Sequence, residues 1–190
     1  MAYLILGLLL FLGTHSIRIV ADDWRLRTMV RVGPNAWKAV VSLVSLAGFA
    51  LLIWGYGQAR QETPLLWTPP VALRHLTALL MLASMVLLMA TYVPNNPIKA
   101  RLQHPMVLSV KTWAFAHLLS NGSLADVLLF GSFLVWAVLC FRSARRRGPI
   151  AVNGTPTSAA LVRTLLLGVL AWGVIAFWAH GALIGVRPFG

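Results

Sequence analysis

Long apolar runs separated by short basic links organise this chain. A helix needs roughly 20 apolar residues to cross a bilayer. Six runs approach that length, at about 2–20, 38–57, 72–92, 105–120, 124–142 and 160–184. The first lacks the basic start and small-residue cleavage site of a signal peptide, so it is expected to be a retained span. The third closes before the turn Pro94-Asn95-Asn96-Pro97, and the fourth is opened by Pro105, which suits a first helical turn. A turn is expected over Val152–Ser158 from Asn153-Gly154 and Pro156. With links this short, consecutive helices should be antiparallel neighbours. The pattern predicts an all-α fold, a polytopic membrane helix bundle of six transmembrane helices forming a single domain over 1–190.

Composition agrees with that pattern. Of 190 residues, 59% are hydrophobic and 11% charged, against about 25% charged in a soluble domain. Mean hydropathy is +0.80. The net charge of +12, from 16 Lys+Arg against 4 Asp+Glu, would suggest nucleic acid in a soluble protein. Here the basic residues flank apolar runs, so they read as a topology signal and no nucleic-acid partner is expected. Arg18, Arg25, Arg27, Arg31 and Lys38 lie around the link between the first two runs. Lys99 and Arg101 lie between the third and fourth, and Arg142, Arg145, Arg146, Arg147 and Arg163 lie around the link between the fifth and sixth. The opposite side carries only Arg60, Arg74 and Arg187. That alternation predicts both termini on the non-cytoplasmic side. A single cysteine, Cys140, provides neither an intrachain disulfide nor a thiolate zinc site.

Polar residues within apolar spans are functional candidates. They are His15, Lys111, His117 and His180, with Asn121 at a helix end and His75 and His104 near interfaces. Asp22, Asp23, Glu62 and Asp126 all fall in links or at a boundary. This argues against a buried carboxylate pair for acid–base work, a carboxylate proton relay or a membrane-embedded Ser-His-Asp triad. Histidine remains, and a neutral imidazole is a ligand for transition metals and haem iron.

His15 shares a helix face with Arg18, so an imidazole could reach iron while a guanidinium pairs with a propionate. The alternative is a histidine satisfied by a neighbouring helix beside a snorkelling arginine. His117 has Trp113 and Asn121 four residues either side on its face. Ala114 and Ala116 keep the nearby surface small, for a flat ligand or for ordinary helix packing. At ~1.5 Å per residue, His15 and His117 would be offset by on the order of 10 Å along the bundle. Side chains leaning toward their own N-termini shorten that gap. His104 is the second candidate partner for His15, and Lys111 either snorkels or reaches a propionate. The tryptophans, Trp54, Trp67, Trp172 and Trp178 among them, read as interfacial anchors.

Taken in order, these pieces resemble the NnrU family of membrane proteins. They are Gly13-Thr14-His15-Ser16-Ile17-Arg18, then Ser42 to Phe49 leading to Trp54-Gly55-Tyr56-Gly57, then Leu66-Trp67-Thr68-Pro69-Pro70. After them come His104-Pro105-Met106, Lys111-Thr112-Trp113-Ala114-Phe115-Ala116-His117-Leu118-Leu119-Ser120-Asn121-Gly122 and Leu129-Phe130-Gly131-Ser132-Phe133. The resemblance covers essentially the whole chain. It implies a multi-pass protein of the bacterial inner (cytoplasmic) membrane, associated with nitrite and nitric oxide reduction in denitrification, with a nitrogen-oxide reductase system as the partner. It is also similar to the plant 15-cis-ζ-carotene isomerase, a haem b enzyme acting on a polyene. That likeness implies haem b with His15 and His117 as metal ligands, and Arg18, Lys111, Trp113 and Asn121 around the cofactor. The plant enzyme has a cysteine three residues before its second histidine, where this chain has Ala114. Alanine cannot bind iron, so a ligand exchange at that position does not carry over. Three roles follow as expectations: a haem protein serving denitrification, a haem-dependent polyene isomerase, and a cofactor-free membrane assembly protein. A methyltransferase of the isoprenylcysteine type is disfavoured, because no acidic residue follows Asp126.

Overall fold

The fold is described from a computed structural model covering residues 1–150 and 154–189. Val152 and Asn153 of the expected turn lie outside the described residues. Gly154 sits in the left-handed region (φ 81°) that turns of this kind favour.

Most of the described residues are helical. They comprise α1 (Ala2–Val20), α2 (Asp22–Val32), α3 (Pro34–Glu62), α4 (Val71–Tyr92), α5 (Pro97–Leu102), α6 (Pro105–Ser120), α7 (Leu124–Arg146) and α8 (Ser158–Val174). A π-helical turn (Ile175–Ala179) then leads into α9 (His180–Ile184). Pro34, Pro97 and Pro105 each open a helix, where the missing N–H has no partner to lose. An isolated bridge between Leu65 and Ser123 is the nearest thing to a strand among the described residues. Large apolar side chains such as Leu9, Leu43, Leu166 and Phe177 are exposed, an arrangement suited to lipid.

Among the described residues, five helical segments are long and apolar enough to cross a membrane: Ala2–Val20, Pro34–Glu62, Val71–Tyr92, Leu124–Arg146 and Ser158–Ile184. The sixth expected span is α6. Its 16 residues extend about 24 Å at the α-helical rise, short of the roughly 30 Å hydrocarbon core. The link between the first two spans is itself the helix α2, with Asp22 and Asp23 in its first turn and Arg31 in its last, charges that complement the helix dipole.

The helices fall into two compact units interleaved along the chain, Met1–Thr68 with Asn121–Ser143, and Pro69–Ser120 with Ala144–Gly190. In the first unit α1 and α3 are antiparallel and very close. A Cβ at Gly7 would lie 2.6 Å from the Leu52 backbone nitrogen, and one at Gly48 would lie 2.7 Å from that of Phe11. Small residues permit such crossings, which gain dispersion where lipid offers no hydrophobic drive. The segment between α3 and α4 is tied to the start of α7 by Leu66 N–H to Gly122 O (2.8 Å) and Leu124 N–H to Pro64 O (3.1 Å).

In the second unit α6 lies antiparallel along α4. Thr77 Oγ1 donates to Ala116 O (3.0 Å), and Ser84 and Ser109 are fully paired. Each hydroxyl of that pair reaches the other residue's carbonyl, at 2.9 and 2.8 Å. Each serine→alanine change is expected to cost about 1 kcal/mol, in the range of interhelical hydrogen bonds in membranes. The double variant should cost less than the sum, because the two hydroxyls share one network; denaturation of the four proteins in detergent measures this. Buried Asn96 caps α5 through Lys99 N–H (2.8 Å) and donates back to Ala90 O (2.9 Å). Thr157 N–H to Asn95 O (3.0 Å) brings the start of α8 to the same turn.

Candidate functional site

His15 sits late in α1, between Thr14 and Ser16, and all three polar side chains turn back on the helix. Thr14 Oγ1 donates toward Leu10 O (2.6 Å) or Phe11 O (2.8 Å), and Ser16 Oγ donates to Leu12 O (2.6 Å). His15 Nδ1 lies 2.7 Å from Phe11 O. A carbonyl oxygen only accepts, so Nδ1 carries the proton and Nε2 keeps its lone pair. The ring is exposed, tilted on Phe11 at 4.4 Å between centroids, and meets the edge of Trp136 from α7 at 6.1 Å. Nearby, α1 and α7 wall a shallow, mostly apolar groove of about 470 Å³ that includes Leu12, Ser16, Ser132 and Trp136. The Trp136 Nε1–H is buried with no acceptor among the described residues. Arg18 is exposed in the last turn of α1, where its charge favours the carbonyl end of the helix.

His117 repeats the arrangement on α6. Its Nδ1 lies 3.0 Å from Trp113 O, again leaving Nε2 as the lone-pair nitrogen. Trp113 tilts against the ring at 5.3 Å. Ala114 and Ala116 are fully buried, so their small size serves the packing of α6. Lys111 is exposed on α6, two positions before Trp113 and six before His117. Ligating histidines characteristically donate their other ring N–H to a carbonyl or carboxylate, which fixes tautomer and orientation. Both histidines show that tether.

The structure thus places His15 and Arg18 in the first unit, and Lys111, Trp113 and His117 in the second. Asn121 follows the end of α6 and belongs to the first unit. His104 lies between α5 and α6. Burial, and then the positive charges of Arg145 and Arg147, hold its imidazole below the usual histidine range, so it is neutral at pH 7. His75 is exposed near the start of α4, and His180 directs Nδ1 to Val186 O (2.6 Å) across the chain's last turn. Among the described residues no three His, Cys, Asp or Glu side chains gather into a metal site.

Sequence reasoning placed Asp126 at a span boundary and gave it no role. The structure buries it in the first turn of α7 and loads it with donors. Tyr56 Oη–H of α3 reaches Oδ1 at 2.6 Å, while Ser123 N–H and Oγ reach Oδ2 at 2.9 and 2.7 Å. Asp126 N–H in turn approaches Ser123 Oγ at 3.2 Å. The signal was present as Ser123-x-x-Asp126 ahead of an apolar run, an acidic variant of the capping box.

The family model described as NnrU protein matches residues 3–188, nearly the whole chain. No curated protein and no solved structure matches it.

Proposed function

The chain belongs to the NnrU family, and from that premise we propose that it is a haem b-binding multi-pass protein of the bacterial inner membrane, serving nitrite and nitric oxide reduction. The observation that carries the reading is the shared tether of His15 and His117. Each imidazole holds its Nδ1 proton on the carbonyl four residues back and presents Nε2, the nitrogen a haem iron takes. The unmatched Trp136 Nε1–H close to His15 fits the same group, since a propionate would give it an acceptor. Arg18 and Lys111 are cations suited to propionate pairing. His15 and His117 would hold the haem, which would supply one-electron chemistry, and ligation by two imidazoles would suit electron transfer better than substrate binding. This chain's residues would orient the imidazoles and keep the surroundings apolar. The alternating basic links support six crossings with both termini outside, α6 included.

The test is the visible spectrum of detergent-purified protein made with ample haem, oxidised and reduced. A low-spin b-type spectrum is expected, lost or altered in His15→Ala and in His117→Ala and unchanged in His180→Ala. A colourless protein would remove the haem reading and leave a cofactor-free assembly role. A haem protein whose deletion alters the cell's carotenoids and spares nitrogen-oxide reduction would make it a polyene isomerase.

A further inference from the structure

All four carboxylate residues of the chain, Asp22, Asp23, Glu62 and Asp126, belong to the first unit; the second contains no Asp or Glu at all. Yet the second unit gathers cations at one end. Lys99 and Arg101 are on α5, in a six-residue helix. The charges of Arg145 and Arg147 bear on His104 directly after it. Gln103 Oε1 accepts the Ile150 N–H at 2.8 Å, independently fastening the segment after α7 to the α5–α6 junction. Lys99 Nζ is held on Thr91 O (3.1 Å), at the C-terminal end of α4.

We infer that the α5–α6 junction and the Arg145–Arg147 segment form a binding site for the phosphodiester headgroup of an anionic membrane lipid. Three spans terminate around this junction: α4 at Tyr92, α7 at Arg146 and, beginning again, α8 at Ser158. The cations therefore lie at headgroup depth, where anionic lipid attracts basic residues. A free phosphate fits less well, because two apolar side chains are exposed among the cations. Leu102 is 40% and Met106 42% accessible, beside Arg101 and His104, where they meet an acyl chain. Arginine suits this ligand because its planar fork grips two phosphate oxygens at once.

The full chain, purified in detergent, is titrated with palmitoyl-oleoyl phosphatidylglycerol or the phosphatidylcholine of the same tails, and retained lipid is read by native mass spectrometry. Wild type is expected to prefer phosphatidylglycerol about tenfold or more, since each basic side chain contributes near the surface. Arg145→Gln with Arg147→Gln should lose most of that preference. Arg27→Gln with Arg31→Gln, an equal charge change on α2, should keep it, and Arg145→Lys with Arg147→Lys should keep part of it. In the same micelles the His104 imidazole should titrate higher once phosphatidylglycerol is added. Equal retention of both lipids overturns the site. So does equal loss in the α2 variant, or displacement of phosphatidylglycerol by inorganic phosphate, which would mark a free-phosphate site.

Discussion

Gly55→Ala is expected to destabilise the protein by ~3 kcal/mol or more, beyond the usual 1–3 kcal/mol of overpacking. The added methyl would press on the backbone nitrogen of Leu4, and it would lie 2.7 Å from Tyr3 C and 2.8 Å from Leu4 Cα. Side chains relieve overpacking by rotating; a main chain cannot. Relief therefore requires α1 and α3 to separate along the seam that Gly7 and Gly48 also hold shut. The comparison is Gly57→Ala on the same helix, where a Cβ meets nothing within 4 Å and alanine gains up to ~1 kcal/mol of helix propensity. Thermal or denaturant unfolding in detergent should drive the two variants in opposite directions. Equal behaviour would show that the α1–α3 contact does not govern stability.

The second large effect is expected at Asp126. Removing its side chain with alanine strips the acceptors from Tyr56 Oη, Ser123 N and Ser123 Oγ together. Leaving these half-buried donors unmatched costs about 1–3 kcal/mol each when no water replaces the partner. Asp126→Ala should therefore cost ~3 kcal/mol. Tyr56→Phe removes one of the three bonds and should cost ~1.5 kcal/mol. Once Asp126 is gone, the tyrosine hydroxyl has lost its partner, so Tyr56→Phe in the Asp126→Ala background should cost little or nothing. A double-mutant cycle with a coupling of ~1–2 kcal/mol is the expected outcome. Simple additivity would mean that the short Tyr56–Asp126 bond contributes nothing to stability.

The apolar runs were legible because their period and length depend on local sequence alone. Ala2–Val20, Val71–Tyr92 and Pro105–Ser120 follow the expected runs within a residue. The second and fifth run further into polar sequence, because propagation of a helix continues through Arg60 and Arg145 once the nucleus is made. Helix α2 was not read, since its apolar residues are interrupted by Arg25, Arg27 and Arg31 and looked like a charged link. The carbonyl at i−4 lies within reach of a helical histidine, yet His180 turns to Val186 O instead, so the tethers of His15 and His117 emerge only with the structure. Other features depend on distant partners. Tyr56 and Asp126 are separated by 70 positions, and nothing local in either segment names the other. The glycine seam was equally silent: Gly48 and Gly55 are seven apart on α3, a spacing that acquires meaning only once α1 lies against it.

Interleaving the two units along the chain sets the schedule of their completion. At translation rates of about 5–20 residues per second, the 70 positions between Tyr56 and Asp126 correspond to roughly 4–14 s of synthesis. The α1–α3 pair can close as soon as both helices have left the ribosome, but the rest of α4 through α6 must be made before α7 arrives. For those seconds the nascent protein holds a tyrosine hydroxyl in wait for its acceptor, and whatever accompanies the chain into the membrane meets unit one unfinished.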